Sequence, residues 1–419
     1  AILNSLTRHL LDSPHPENAI PLALRAGSRN LELFATDLAA GFLGRGLTLV
    51  RGQTPVDEGT LLRTLMILGD VHRLRGEFTE AGKVLEEAAA LARHLETPGA
   101  LARVLGGLGK VKQALGQYDR AMLILEEAAN SAQQAGEARE WVRALTTLAR
   151  VHFFKGQIPQ TVEVFTRALH VAREHDLEAN QAECQSFLGF LYTLDPHRQD
   201  EGLAMLQEAL TIHQATGNKL GLNDTLMHLG NAYQSLGRFA EAKECYLNCQ
   251  QINSEIGQHD EEVFSLLNLG VVGYQMGDVA EALELSSQAL DLVRKLGSRY
   301  PESLALALTG YGHLLRGQVR AGWEHLDQAV AIAAAIHNVY LDVNLAVFRT
   351  DALSLMHREA EALTLAREAL ATAEQKGIED VRLALEIKVG SLLVRTGQRE
   401  EGRERLKAAR KKAQESGAR

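Results

Sequence analysis

The residue types best suited to chemistry in this chain of 419 residues are three cysteines and fifteen histidines. Cys245 and Cys249 are four residues apart, so on a helix both thiolates would face one side and could bind a metal ion. A zinc site needs about four ligands, however, and the sequence has no second cysteine pair. We therefore expect both residues to be small core side chains, and we predict neither a metal site nor a cofactor.

Catalytic motifs are absent from the sequence. It contains no phosphate-binding loop of the form G-x-x-x-x-G-K-[ST], no G-x-S-x-G nucleophile motif and no H-E-x-x-H zinc motif. Its many glycines are evenly spaced and not clustered as they are in a phosphate-binding loop. We predict that this chain has no catalytic residues and is not an enzyme.

The composition excludes several other classes of protein. Hydrophobic residues make up 46% and charged residues 23%, which is typical of a folded globular chain. The net charge of -9 argues against a general electrostatic grip on nucleic acid. Three cysteines cannot form a disulfide framework, and no apolar stretch approaches the roughly 20 residues of a membrane helix. We expect a cytoplasmic protein without a membrane segment.

The elements that position any binding residues are repeats. One series of glycines is spaced at 40 residues or multiples of it, with one extra residue before the fourth: Gly76, Gly116, Gly156, Gly237, Gly277, Gly317 and Gly397. A second series lies half a period away: Gly136, Gly217, Gly257, Gly297, Gly377 and Gly417. Asp176 and His357 hold two of the vacant places, and Thr97–Gly99 lies near a third. Since glycine favours the left-handed conformation that ends helices, each 40-residue repeat predicts a helix A, a turn, a helix B and a second turn.

Small residues recur at fixed places inside the repeats. Those on helix A are Gly69, Gly109, Gly230 and Gly270, and those on helix B are Ala81, Ala121, Ala242 and Ala282. We expect them to let the two helices of each hairpin approach closely. Before the first full repeat, Ala35–Leu47 fits a helix B with Ala40 in the small-residue place.

This pattern resembles the tetratricopeptide repeat from Leu61 to about Gly417, with repeats longer than the usual 34 residues. The resemblance implies an all-α, right-handed α-solenoid of about ten helix hairpins. Residues 1–57 would form an irregular N-terminal helical segment. Residues 58–419 would form nine repeats of one continuous solenoid, closed by a C-terminal capping helix.

The long repeats resemble those of bacterial signalling regulators of the maltose-regulator type and of peptide-responsive receptors. The segment 18–27, followed by Phe34 and Ala35, is similar to the segment that joins the ATPase core to the repeats in large bacterial signal-transduction ATPases of the STAND type. The chain also does not begin with Met. The resemblance therefore implies a non-catalytic sensor or regulatory domain of a larger bacterial signalling ATPase or Ser/Thr kinase. The alternative is a free-standing intracellular adaptor or signalling-peptide receptor.

In this architecture the A helices line the concave surface, so their inward positions predict the binding site. The predicted partner-binding residues are Lys110, Arg150, Phe153, Phe190, Met227, Asn231, Gln234, Asn268, Tyr274 and Tyr311, with His228 one place along. The wall would begin basic and become rich in amides, which hold a peptide backbone, and in aromatic rings, which supply contact area. The predicted partner is a peptide, a protein or another domain of the same polypeptide. Two alternatives stay open, namely packing between helices for the aromatic rings and plain solvated positions for the amides. The oligomeric state is also open.

An arginine series at Arg63, Arg103 and Arg143 repeats at the same period. It predicts either a basic strip for an acidic partner or ion pairs with the glutamates at 86, 87, 126 and 127 of neighbouring helices, and we favour the ion pairs.

Overall fold

The described part of the chain is helical throughout. The computed structural model describes residues 2–33, 35–155, 157–195, 197–256, 259–336, 338–376 and 378–415. These residues form twenty-one α-helices and one short 3-10 helix, with no β-strand among them. The predicted all-α solenoid of tetratricopeptide-like hairpins is thereby confirmed. Five residues named above, Phe34, Gly156, Gly257, Gly377 and Gly417, lie outside the described residues.

The chain divides into two compact units, unit 1 from Ala1 to Cys184 and unit 2 from Gln185 to Arg419. In unit 1 the helices are α1 (Ile2–Leu11), the 3-10 helix (Pro16–Ala19), α2 (Ile20–Glu32), α3 (Thr36–Arg51), α4 (Glu58–Leu74), α5 (Phe78–His94), α6 (Pro98–Ala114), α7 (Tyr118–Gln134), α8 (Ala138–Phe154), α9 (Ile158–Glu174) and the first part of α10 (Glu178–Thr193). The predicted division at residues 57 and 58 concerns repeats and stays a prediction.

Unit 2 continues the same alternation of helices. After the second part of α10 come α11 (Gln199–Thr216), α12 (Lys219–Ser235), α13 (Phe239–Ile256), α14 (His259–Met276), α15 (Val279–Leu296), α16 (Arg299–Leu315), α17 (Val319–Ala335), α18 (Val339–Leu355), α19 (Glu359–Lys376), α20 (Glu379–Arg395) and α21 (Arg399–Glu415). From α4 onwards, the even-numbered helices are the A helices of the repeats and the odd-numbered helices are the B helices.

The turns lie where the sequence predicts them. Every described glycine of the two 40-residue series has a positive φ, between 63° and 95°. Asp176 and His357, which hold vacant places of the series, also have positive φ values, of 50° and 57°. The remaining left-handed residue is Glu96, with φ 50°, and not a residue of the neighbouring stretch 97–99. Glutamate carries no signal for this conformation, so only its place in the period indicates it.

The two helices of each hairpin are in contact at the predicted small residues. In unit 1, a Cβ atom added to Gly69 would lie 2.5 Å from Cδ2 of Leu85, and one added to Gly109 would lie 2.5 Å from Cγ of Leu125. In unit 2, the equivalent Cβ on Gly230 would lie 2.5 Å from Cε1 of Tyr246. No real Cβ fits at these distances, so the absence of a side chain sets the spacing of the hairpins.

The N-terminal segment contains a hairpin of the same type. A Cβ on Gly27 of α2 would lie 2.5 Å from Cγ of Leu43 on α3, which is the contact that Gly69 makes with Leu85. The residue in the small place of α3 is Ala39, which is completely buried, and Ala40 is only half-buried. The expected alignment through Ala40 was therefore wrong by one residue.

We predict opposite effects of the same substitution at two glycines of α6. Gly109→Ala is expected to lower the free energy of unfolding by about 1–3 kcal/mol because the added methyl group overlaps Leu125. Gly106→Ala meets no atom within 4 Å and is expected to stabilise by about 0.5–1 kcal/mol through its effect on helix propensity. Urea unfolding followed by circular dichroism measures both. Equal midpoints for the two variants would contradict the close contact.

Candidate functional site

The A helices form the inner side of each unit. In unit 1, α6 approaches both α4 and α8, and in unit 2, α16 approaches α14 and α18, which in turn approaches α20. Among the described residues, successive B helices show no comparable approach. The hairpins of each unit therefore fan outwards from the A helices, whose exposed faces lie on the inner side.

The inner side of unit 1 carries charged residues. On α4, Nη2 of Arg73 lies 3.4 Å from Oδ1 of Asp70. On α8, Nη2 of Arg150 lies 3.7 Å from Oε1 of Glu183, which is on α10. Lys110 of α6 has no hydrogen-bond or ion-pair partner among the described residues, although two charged helices flank it.

The surroundings of Lys110 are unfavourable for its positive charge. The side chain is exposed, yet enough protein surrounds it that loss of hydration is the main reason why the pKa of its ammonium is lowered. Repulsion by Arg73, Arg150 and Arg143 lowers this pKa further, and the attraction of Glu183 opposes the shift. Cations from three A helices therefore act on one ammonium group with a single carboxylate among them.

Phe153, the third predicted residue of unit 1, is half-buried at the end of α8. Its ring lies 6.0 Å from that of Phe154 at an angle of 71°. Phe154 in turn stacks on Tyr118 of α7 at 6.2 Å. This aromatic group lies at the end of α8, beyond the charged residues.

In unit 2 the inner side begins with an aromatic group around His228 of α12. The ring of Phe190, on α10, is nearly parallel to the imidazole, with centroids 5.8 Å apart. Phe187 approaches the same imidazole edge-on at 5.1 Å, and its Nδ1 lies 2.8 Å from Oγ of Ser186. His228 is thus held by three side chains of α10 and leaves the open edge of Phe190 half-buried.

The two predicted amides of α12 contact the buried core. The hydroxyl of Tyr246, on α13, lies 2.7 Å from Oδ1 of Asn231 and 3.0 Å from Oε1 of Gln234. A hydroxyl has one proton, so it donates to one amide and accepts from the other once that amide is rotated. Tyr246 is completely buried and occupies the place of Leu85 and Leu125 in the earlier repeats. A core side chain thereby fixes both amides on the inner side.

Further polar contacts join α12 to α14. Nε2 of Gln234 donates to Oε1 of Gln275 at 3.0 Å, and Nδ2 of Asn268 lies 3.1 Å from the sulfur of Met227. All four side chains connect two consecutive A helices. They are therefore positioned by the helix pair and do not extend freely into solvent.

A row of aromatic rings follows on α14, α16 and α18. The rings of Tyr274 and Tyr311 lie 5.5 Å apart, and those of Tyr311 and Phe348 lie 5.6 Å apart, both edge to face. The Tyr274 hydroxyl donates to the carbonyl of Leu308 at 2.9 Å, and burial raises its pKa to about 12. Gly312 makes room for this hydroxyl, because a Cβ there would overlap it.

The structure thus places every predicted residue on an A helix and brings several of them together. It adds Phe348 and Gly312, which sequence reasoning missed. Phe348 lies two periods after Asn268, at the place one residue along from the predicted inner positions, and this spacing could have indicated it. Since the rings are half-buried, packing between helices accounts for part of their surface, and their role in binding stays a prediction.

The cysteines are core residues, as predicted. All three are free and buried. Burial raises the pKa of the Cys245 thiol to about 11 and that of Cys249 still further. Among the described residues, no three His, Cys, Asp or Glu side chains are grouped to hold a metal ion. No helix in the described part of the chain has both the length and the apolar character needed to cross a membrane.

Comparison with known proteins identifies the type of repeat. The family model described as tetratricopeptide repeat matches residues 60–134 and 221–295. No curated protein sequence matches the chain significantly. The chain is accordingly a helical repeat protein of the tetratricopeptide type.

Solved structures of similar fold include three regulators. A Rap protein in complex with competence and sporulation factor is 11% identical, with a TM-score of 0.59 over 96% of this chain and 100% of that chain. The Rap conjugation gene regulator of plasmid pLS20 in complex with the Phr* peptide is 14% identical, with a TM-score of 0.56 over 80% of this chain and 95% of that one. The apo quorum sensor NprR from B. thuringiensis is 14% identical, with a TM-score of 0.55 over 85% and 99%. At these identities the similarity establishes the fold alone.

We predict that Gly312 and Tyr274 are energetically coupled. Gly312→Ala is expected to destabilise unit 2 by about 1–3 kcal/mol, because the methyl group displaces the Tyr274 hydroxyl. In a Tyr274→Phe background the same substitution should cost less, since the overlapping oxygen is gone. A double-mutant cycle by chemical unfolding measures this coupling, and strictly additive effects would contradict it.

Proposed function

We propose that this protein is a non-catalytic scaffold that binds a peptide or a protein segment on its A-helix faces. The observation that carries the proposal is the sequence of aromatic and amide groups along unit 2, from Phe190 through Asn231 and Tyr274 to Tyr311. The contacts between A helices fix their positions in advance, so little side-chain entropy would be lost on binding.

The chemistry of this surface suits a polypeptide ligand. Half-buried rings offer contact area at low entropic cost, and amides pair with the donors and acceptors of an extended backbone. Two of the structurally similar proteins, the Rap protein and the pLS20 regulator, were solved with a bound factor or peptide, and NprR is a quorum sensor. These similarities support a peptide as the ligand class.

We further propose a regulatory role in bacterial signalling within the cytoplasm, with two possible settings for the chain. In the preferred setting it is the sensor domain of a larger signalling ATPase or Ser/Thr kinase, which rests on the similarity of segment 18–27. In the alternative setting it is a free-standing adaptor or signalling-peptide receptor. The genomic sequence upstream of residue 1 decides between them, since the first setting requires an ATPase or kinase domain in the same reading frame.

We predict that the inner side of unit 2 is the site of peptide capture. In a peptide-array screen with the full chain, followed by calorimetry, Phe190→Ala is expected to weaken binding of the selected peptides about tenfold, because it removes a ring that stacks on His228. Leu247→Ala, on the exposed face of B helix α13, serves as the control and should leave affinity unchanged.

Asn231→Ala is less suitable for this test because it also removes a partner of the buried Tyr246 hydroxyl and would alter folding. The thermal midpoint of each variant is therefore recorded alongside affinity. Peptides that bind the Phe190→Ala variant as tightly as the unmodified chain would contradict this site, and an array without any bound peptide would contradict the proposed function.

A further inference from the structure

Unit 1 presents a row of cations on the inner side of its A helices. Six basic residues on three successive helices share this side: Arg63 and Arg73 on α4, Arg103 and Lys110 on α6, and Arg143 and Arg150 on α8. They follow from two periodic series, each at 40-residue spacing, whose members on one helix lie seven or ten residues apart and thus on one face. We refer to this set as the basic wall.

The ion pairs that would neutralise the arginine series do not form. Arg143 pairs at 3.0 Å with Glu140 of its own helix, and Arg63 donates to Oγ1 of Thr60 at 3.1 Å. Arg103 has no hydrogen-bond or ion-pair partner in the described ranges. The expected pairing of this series with the glutamates of neighbouring B helices was therefore wrong.

Those glutamates are paired with other cations. Glu87 lies 2.6 Å from Arg51 of α3, Glu86 lies 2.7 Å from Lys112, and Glu127 lies 2.8 Å from Arg93 of α5. The acidic side chains of the B helices are thus neutralised without the wall. The positive charge of the wall is left in excess, although the whole chain carries -9.

The centre of the wall is poorly compensated. Lys110 has no partner, and the flanking Arg73 and Arg150 lie on the A helices before and after it. The acidic residues at this level are Asp70, which pairs with Arg73 at 3.4 Å, and Glu183, which pairs with Arg150 at 3.7 Å. An anion placed opposite Lys110 would relieve the mutual repulsion of these cations.

We propose that the basic wall of unit 1 binds an acidic peptide segment whose carboxylates recur at every third residue. The inference deepens the proposed function and rests on it, since it assigns one ligand chemistry to one part of the scaffold. Lys110 binds the central carboxylate, and Arg73 and Arg150 bind the carboxylates on either side.

The spacing of the A helices determines the spacing of the carboxylates. Packed helices lie about 8–10 Å apart, so cations on successive A helices repeat at roughly that distance. A polyproline II peptide rises about 3.1 Å per residue with three residues per turn, so side chains i, i+3 and i+6 share one side at about 9 Å intervals. A β-strand presents same-side residues about 6.7 Å apart, which does not match.

A peptide fits this wall better than a nucleic acid does. The net charge of -9 repels a long polyanion, whereas a short segment contacts only the local positive charge. Asp70 and Glu183 would also lie against a continuous phosphate backbone, and a peptide with neutral residues between its acids avoids them.

The test compares two charge reversals in the full chain. The probe is a fluorescent nine-residue peptide with Glu at positions 2, 5 and 8 and Pro or Ala elsewhere, titrated at low and moderate salt. Lys110→Glu is expected to weaken its binding at least about tenfold, the effect of losing a charge-assisted contact. Lys83→Glu, on the exposed side of B helix α5, makes the same change in net charge and should weaken it less than about twofold.

Further probes separate the alternatives. A peptide of the same composition with its three Glu residues adjacent should bind several-fold more weakly, and neither inorganic phosphate nor a single-stranded oligonucleotide should compete at equal charge concentration. Lys110→Met, which removes the charge without adding another, should give an intermediate loss while its circular dichroism spectrum stays unchanged. Equal effects of Lys110→Glu and Lys83→Glu, indifference to the Glu spacing, or competition by phosphate or oligonucleotide would each overturn the inference.

The outcome also distinguishes this inference from the proposed function. Peptides that are selected on the array and depend on Phe190 but not on Lys110 would leave the scaffold function standing and remove the acidic ligand. If no peptide of any composition binds either unit, both proposals fail.

Discussion

The close contact between the two helices of each hairpin is the constraint on which the rest of the structure depends. At this contact helix A has no side chain, and the large residue sixteen positions later on helix B fills the space, as Leu85 does against Gly69 and Leu125 does against Gly109. Because the fit admits no additional atom, it fixes the rotation of each helix about its own axis. The same fit therefore determines which residues face the core and which reach the inner side.

One variation of this contact links the core of unit 2 to its inner side. Where most repeats have an aliphatic residue, Tyr246 packs on Gly230 and extends its hydroxyl to Asn231 and Gln234. The amides that could pair with a peptide backbone are thus oriented by a completely buried side chain. Packing and recognition are not separable at this point, so a change in the core would be felt at the surface.

The two units use one scaffold for different chemistry. In unit 1 the inner side carries a series of cations that includes the unpaired Lys110, and in unit 2 it carries rings and amides that contact each other across successive A helices. Solenoid stability comes from the contacts within and between hairpins, which leaves the inward positions of the A helices free to vary. Fold alone therefore does not indicate the ligand, and the side chains at these positions do.

The sequence alone determined the helical period, the left-handed turns and the small residues at the hairpin contacts, because these are local requirements that recur every 40 residues. It also placed the candidate residues on A helices, since helical spacing sets which positions share a face. Only the tertiary structure decided which side chains meet, such as Phe348 with Tyr311, or Glu87 with Arg51 and not with the arginine series. Those pairings depend on the distance and rotation between neighbouring helices and on side-chain rotamers, none of which the period of a sequence encodes.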